Sequence, residues 1–326
     1  MQAYRIVADH PGGVDVLRRE DFDLAPLQPD EALVRHTAIG LNYIDTHHRN
    51  GRYKRPSYPT PLGVEAAGVV EQVGSAVTDI KVGDRVAYAS MSVGAYADRR
   101  CMPADCLIPI PASLDDRVAV AALNKGLTAH FLSHTTHAIV PGETILVQAA
   151  AGGVGMILCQ WAKHMGARVI GAVGDPAKRD FALAHGCDTV VLSTAPDWVE
   201  TVRGLTDGRG VAVAYDAVGP ATFDGSLRCL ARRGLLVSFG TASGPLPPLD
   251  LFRLNAMGSL YVTSPGFADH TTDRAELLAR AADLFAAIAD GTLRIPIGTT
   301  YALADVARAH EDLQARRTIG ASILLP

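Results

Sequence analysis

Two rhythms of hydrophobic and polar positions divide the chain. Up to about residue 124 the apolar runs are short, β-branched and broken by glycine. Residues 31–39 (EALVRHTAI) and 67–73 (AGVVEQV) read as strands, and Val82-Gly83-Asp84-Arg85-Val86 reads as a turn feeding another. Pro56, Pro59 and Pro61 mark an extended loop, because proline fixes φ and restricts the residue before it. From about residue 125 apolar strands alternate with helical stretches. Strands are predicted at 143–148, 168–173, 189–192, 211–216, 234–240 and 259–263, and helices at 156–165, 176–185 and 223–230. Such alternation implies βαβ units and an α/β fold, with helices on both faces of a doubly wound parallel sheet. An Ala/Leu-rich helix over about 273–290 ends at Gly291, and residues 320–326 read as a last strand.

The most informative motif follows the strand at 143–148. There Ala149-Ala150-Ala151-Gly152-Gly153-Val154-Gly155 opens an amphipathic helix, with Ala150 where a dinucleotide fingerprint usually has its first glycine. Gly152 and Gly153 let the backbone approach a pyrophosphate, Gly155 allows close helix packing, and the helix N-terminus supplies oriented N–H groups. A bare strand–turn–helix is the plain alternative, but a second strand end lies about 20 residues on, as the fingerprint requires. That strand ends Val173-Gly174-Asp175-Pro176-Ala177-Lys178. An acidic residue at the strand end itself would clasp the ribose 2′-OH of NAD; here Gly174 stands there, and Lys178 can pair with the 2′-phosphate of NADP. Asp175 either repels that phosphate or N-caps the next helix, with Pro176 at its first position. NADP is the expected cofactor.

Composition narrows the class. A length of 326 residues favours two domains with sizeable cores, and 48% hydrophobic with 20% charged residues is ordinary for a globular chain. The balance of 30 basic against 34 acidic residues offers no global field for nucleic acid. No apolar run is long enough for a membrane span, and the N-terminus carries no signal-peptide pattern. Cys101, Cys106, Cys159, Cys187 and Cys229 form an odd, scattered set, which fits reduced thiols in a cytoplasm.

Further motifs sharpen this: residues 38–45 (AIGLNYID), 62–68 (LGVEAAG), 125–128 (KGLT), 159–163 (CQWAK), 215–219 (YDAVG) and 232–240 (RRGLLVSFG). With the glycine turn, they make the sequence resemble, over essentially its whole length, the zeta-crystallin-like, zinc-independent quinone oxidoreductases of the medium-chain dehydrogenase/reductase superfamily. The resemblance implies a GroES-like β-rich catalytic domain built from residues 1–124 and 266–326. A Rossmann NADP-binding domain, 125–265, would be inserted between them. It also implies NADPH as cofactor, a quinone or conjugated carbonyl as the small-molecule substrate, and a homodimer. Where zinc-dependent members carry a Cys and a His, this chain has Asn42 and Val64, and no cysteine precedes Cys101.

By the same resemblance, Asn42, Tyr43 and His47 would lie near the nicotinamide and Thr128 at the domain junction. Gly152, Gly153, Val154 and Gly155 would meet the pyrophosphate, and Gly174, Lys178 and Ser193 the adenosine end. Phe239, Gly240 and Thr241 would follow the fifth strand, and Arg316 would reach back towards the cofactor. His47 and Ser193 stand where relatives often carry tyrosine. Asn42, Tyr43, His47 and Tyr53 are the candidates for positioning substrate; the plain alternatives are turn or capping roles for Asn42, Thr128 and Thr241, and packing against the proline loop for Tyr53.

Two clusters have bland and sharp readings. His130, His134 and His137 are spaced to share a helical face, as a metal site would need, but no carboxylate accompanies them. The basic stretch 49–55 (RNGRYKR) reads as a solvated rim, with phosphate or RNA attraction as the sharper alternative. The leading function is therefore NADPH-dependent quinone reduction. The alternatives are reduction of alkenals, enones or enoyl thioesters, and a non-catalytic NADPH-binding protein with an RNA-binding role.

Overall fold

Six of the apolar runs form one wholly parallel sheet in a computed structural model that describes residues 1–326. Its strands lie in the order Thr189–Leu192, Arg168–Val173, Thr144–Gln148, Val211–Asp216, Leu230–Ser238, Tyr261–Thr263. This is the doubly wound order, whose switch point lies between Thr144–Gln148 and Val211–Asp216. These strands belong to a compact unit of Lys125–His270 and Asp290–Arg294. Its core gathers Leu146, Ile170, Trp198, Val202, Phe223 and Leu236 from strands and covering helices.

Several element limits differ from those read in the sequence. The helix expected at 176–185 splits into a 3-10 turn, Pro176–Lys178, and a short helix, Arg179–Ala184. The Trp198–Gly204 helix has no counterpart among the predicted elements. It buries Trp198, Val199 and Val202, but seven residues are too few to establish a helical period.

The other unit comprises Met1–Asn124, Thr271–Ala289 and Ile295–Pro326. Its main sheet runs Ile297–Ala302, Ala321–Leu325, Glu31–Gly40, Glu65–Val73, Arg85–Ala89, Ile108–Pro109, with Arg99–Pro103 also paired to Glu31–Gly40. The C-terminal strand enters this sheet antiparallel to the N-terminal part of the chain, Ile323 opposite Gly40 and Leu324 opposite Ile39. A smaller sheet pairs Gln2–Ala8 with Leu17–Asp23 and Thr60–Pro61. Its Leu17–Asp23 strand (LRREDFD) escapes a hydrophobic reading because charge partners such as Arg5 with Glu20 hold it in place of apolar burial. The unit's core is formed by Val34, Ile39, Leu41, Leu62, Tyr88, Tyr96, Met102 and Leu324. The architecture is thus a β-rich GroES-like module and a Rossmann module, each with its own core.

Candidate active site

In the first unit the site grows from one buried carboxylate. Glu65 opens the Glu65–Val73 strand and is fully buried. A Cβ at Gly40 would collide with its carboxylate, so the neighbouring strand must end in glycine. Asn42 Nδ2 donates to Glu65 Oε2 at 2.7 Å, and the Asn124 backbone N–H donates to Oε1 at 2.6 Å. Two charge-directed hydrogen bonds offset the cost of burying the carboxylate and fix the Asn42 amide in place.

Asn42 also begins the Tyr43–Arg49 helix, where Asp45 Oδ2 reaches back to accept from the Asn42 N–H at 2.9 Å. The same oxygen accepts from Tyr96 Oη at 2.8 Å. Tyr96 lies 3.0 Å from His310 Nε2, and Arg49 Nη1 lies 3.1 Å from His310 Nδ1. A guanidinium only donates, so Nδ1 accepts and Nε2 carries the proton. The direction is fixed throughout: Arg49 to His310 to Tyr96 to Asp45. Burial, reinforced by the Arg49 charge, pushes His310 down to about 3 and keeps it neutral. None of Glu65, Tyr96 or His310 stood among the predicted site residues. The run 62–68 (LGVEAAG) contains Glu65 but was read only as a family motif; nothing local marks His310, whose partners are distant in sequence.

The same helix carries aromatic groups, half-buried Tyr43 and buried His47. Tyr43 and His47, one turn apart, meet edge to face at 5.3 Å, and Tyr53 stands edge-on to His47 at 5.5 Å. Tyr53 is 45% exposed and lies against His47 and His48. Burial, then the nearby Arg52 charge, lowers His47 to about 4, so its imidazole is neutral near pH 7. Arg316 belongs to this unit and is exposed, with a left-handed φ of 59° just after the Val306–Gln314 helix.

In the second unit the glycine turn is shaped by Ala149, itself left-handed at φ 53°. Its carbonyl accepts from the Gly152 N–H at 2.8 Å, and a Cβ on Gly155 would strike that same carbonyl. Gly152 is the N-cap of the Gly153–His164 helix, and Val154 is half-buried in its first turn. A Cβ on Gly153 would come within 2.7 Å of Lys125 Cδ, so the stem of a buried lysine lies against the turn. Lys125 was not among the predicted site residues, although the run KGLT contained it. Thr128 is half-buried on the Asp116–Phe131 helix.

The other predicted cofactor residues cluster at the C-terminal ends of the parallel strands. Gly174 has open space around it, and the Asp175 carboxylate accepts from the Ala177 N–H at 2.9 Å, the capping arrangement. Lys178 follows in that turn, half-buried. Ser193 Oγ donates to the Val173 carbonyl at 3.2 Å, which ties two adjacent strand ends. The Phe239 N–H donates to the Asp216 carbonyl at 3.0 Å, and a Cβ on Gly240 would lie 2.7 Å from the Ala217 oxygen. Thr241 closes a turn by accepting from the Gly244 N–H at 3.0 Å. Beneath this turn the buried Asp216 carboxylate accepts from the Val218 and Gly219 N–H groups and from the Thr222 and Ser226 hydroxyls, at 2.8–3.0 Å.

The histidine triplet does not converge. His130 and His134 stack at 4.1 Å, but a π turn, Leu132–Thr136, ends the helix and turns His137 away to Glu143 at 3.1 Å. The extra residue in the turn breaks the spacing on which the shared face depends.

These two modules define a dehydrogenase/reductase of the medium-chain class. A family model described as "Alcohol dehydrogenase GroES-like domain" matches residues 28–112, and one described as "Zinc-binding dehydrogenase" matches residues 153–283. A quinone oxidoreductase of Pseudomonas aeruginosa is 46% identical over 97% of both chains. An Escherichia coli quinone oxidoreductase solved in complex with NADPH superposes with a TM-score of 0.97 at 44% identity, covering 99% of this chain and all of that one. A 2-haloacrylate reductase from Burkholderia is 40% identical over 97% of this chain and 96% of its own. The chain belongs to the quinone oxidoreductase family of medium-chain dehydrogenases/reductases.

The second family description implies zinc, and the residues at the corresponding centre do not fit it. Both Glu65 oxygens are held by N–H donors, Asn42 contributes a donating amide nitrogen, and Val64 offers no ligand.

Proposed function

We propose that this chain is an NADPH-dependent quinone oxidoreductase that works without zinc. The Asn42–Glu65 pair carries the reading. Oxidation of an alcohol needs a Lewis acid to acidify the hydroxyl, and this centre is built of hydrogen-bond donors instead. An electron-poor quinone stabilises the oxyanion it gains, so positioning and donated hydrogen bonds suffice.

NADPH, when bound, supplies the hydride. Gly152, Gly153, Val154 and Gly155, with the helix N-terminus and the Lys125 ammonium, fit its pyrophosphate. Gly174 and Lys178 fit the 2′-phosphate end, with the Asp175 carboxylate directed to the Ala177 N–H, and Ser193 lines that end with its hydroxyl proton held by the Val173 carbonyl. Phe239, Gly240 and Thr241 stand at the remaining strand ends, and Thr128, on the Asp116–Phe131 helix, and Arg316 are the further cofactor candidates. Asn42, held by Glu65, presents a fixed amide to the nicotinamide beside Tyr43. His47, kept neutral, can donate an N–H without adding charge, and Tyr53 offers a hydroxyl to the acceptor.

The test is oxidation of NADPH with phenanthrenequinone, naphthoquinone and benzoquinone; absence of turnover with all three would sink the reading. A 2-haloacrylate acceptor is the second reading, favoured by the full-length similarity to the Burkholderia enzyme, and a higher kcat/KM for it than for any quinone would replace the first.

The working form is a homodimer joined at the edge strand Tyr261–Thr263. Tyr261 is 59% exposed there, and Leu251 and Phe252 are 73% and 84% exposed. An open edge of this kind is a template for pairing with a second copy. Light scattering on a Phe252→Asp/Tyr261→Asp variant should give the monomer mass; an unchanged dimer mass would rule this edge out. Five free cysteines suit a reducing, cytoplasmic setting, and no helix is long and apolar enough to cross a membrane.

A further inference from the structure

One segment of the first unit enters that chemistry only through His47 and Tyr53. Residues 46–64 contain Arg49, Arg52, Lys54 and Arg55 and not one Asp or Glu. Arg49 is committed to the fold, donating to the Gly12 carbonyl, His310 and Gln314. The other three cations sit together on the loop after the Tyr43–Arg49 helix. Arg52 and Lys54 are exposed and Arg55 is half-buried, and neither Lys54 nor Arg55 makes an ion pair.

The end of that helix and the loop together hold buried polar atoms that find no hydrogen-bond partner in the protein. They are His47 Nδ1, both ring nitrogens of His48, Arg55 Nε and Tyr58 Oη. Buried polar groups are nearly always paired, so this stretch keeps hydrogen-bonding capacity that the protein does not use, beneath the exposed Arg52, Tyr53 and Lys54 side chains. Its polarity is set by the arginines. Burial and the Arg52 and Arg55 charges push His47 and His48 each down to about 4, so near pH 7 the imidazoles are neutral and the guanidinium and ammonium groups carry the charge.

We propose that residues 52–58 form an anion-binding rim that selects acceptors carrying a carboxylate or sulfonate beside the reducible ring. The inference rests on the reading of Asn42, Tyr43, His47 and Tyr53 as the acceptor-side residues. Tyr53 links the two regions: its ring lies against His47 at 5.5 Å and His48 at 5.6 Å, and Lys54 and Arg55 follow it directly. An acceptor ring resting on the exposed Tyr53 ring would bring an acidic substituent to the two cations. The phosphates of NADPH present the same anionic chemistry, so the experiment must tell acceptor from cofactor.

A Lys54→Gln/Arg55→Gln variant provides the test, assayed with naphthoquinone sulfonate and with uncharged naphthoquinone, each against the wild type. Two lost charges should lower kcat/KM for the sulfonate roughly tenfold while the neutral quinone and the KM for NADPH change less than about twofold. High salt should weaken the wild-type preference in the same direction. The neutral quinone also reports that the variant is folded. Equal losses on both quinones, or a loss confined to the KM for NADPH, would overturn the proposal. If neither quinone is reduced, the quinone reading fails by itself, and calorimetry with naphthalene sulfonate decides the rim. Binding by wild type that weakens in the variant supports it, and no binding overturns it.

Discussion

Asp175 shows how one hydrogen bond decides a cofactor argument at the scale of a residue. As a free carboxylate at a strand end it would favour a ribose hydroxyl and repel a phosphate. Bonded to the Ala177 N–H, it caps the turn, and in the proposed reading Lys178 supplies the charge that distinguishes the two nicotinamide cofactors. Lys178→Ala should therefore raise the Kd for NADPH roughly tenfold, as expected for one contact to a charged group, and leave NADH within about twofold. Titration of intrinsic fluorescence with each cofactor measures both. Equal weakening would remove Lys178 from the 2′-phosphate. Sequence reasoning proposes Lys178 because its signal is local. It missed Lys125, whose stem packs under Gly153 from the preceding helix, because that proximity exists only after folding.

At the scale of an element, legibility followed length and locality. The parallel strands were readable because buried strands are continuous apolar runs, and the glycine turn because its spacing is a steric requirement. The Leu132–Thr136 π turn was not readable: an extra residue in a helical turn leaves no mark in composition, yet it moved His137 off the His130–His134 face. The helix Val306–Gln314 and the adjoining strand Ile297–Ala302 were likewise missed, although His310 on that helix completes the chain to Asp45. The turn into Gly153–His164 is closely packed against backbone. Adding one methyl by Gly155→Ala forces the helix away from the Ala149 carbonyl and the Ala150 backbone, neither of which can rotate aside. Overpacking of this kind costs about 1–3 kcal/mol. The variant should melt several degrees lower and lose NADPH affinity, whereas Gly174→Ala, with open space around it, should leave the melting temperature unchanged. Calorimetric melting of the pair checks the contrast, and an unchanged Tm for Gly155→Ala would mean that the turn is looser than it is drawn.

Across the whole molecule, acid-sensitive burial is concentrated in one unit. His36 and His310 are both buried there and neutral: burial lowers them to about 4 and about 3. His36 donates through Nδ1 to the Ala97 carbonyl and accepts from Tyr88, so both rings are locked in a neutral tautomer. In the unfolded chain each titrates near about 6.5. As pH falls below that value the unfolded state takes up protons that the folded state refuses. Stability is thus complete above the unfolded pKa and is lost progressively down to the folded one, at a limiting slope of about 1.4 kcal/mol per pH unit for each histidine. His47 and His48, held low in the same unit, act in the same direction. Trp161 and Trp198 lie in the other unit; a Trp161→Phe background, which removes the indole that touches His130 and His134, leaves Trp198 as a separate signal for it. On acidification from pH 7 to 4.5, amide exchange in the strands of the first unit should accelerate before tryptophan emission changes. Replacing one titrating ring by a non-titrating amide, His310→Asn, lowers stability at pH 7 but removes one proton from the linkage. The slope of first-unit stability against pH should then flatten by up to about 1.4 kcal/mol per unit between pH 6 and 4.5. An unaltered slope would mean that His310 titrates normally in the folded chain, and the fixed direction of the Arg49–His310–Tyr96–Asp45 chain would fall with it.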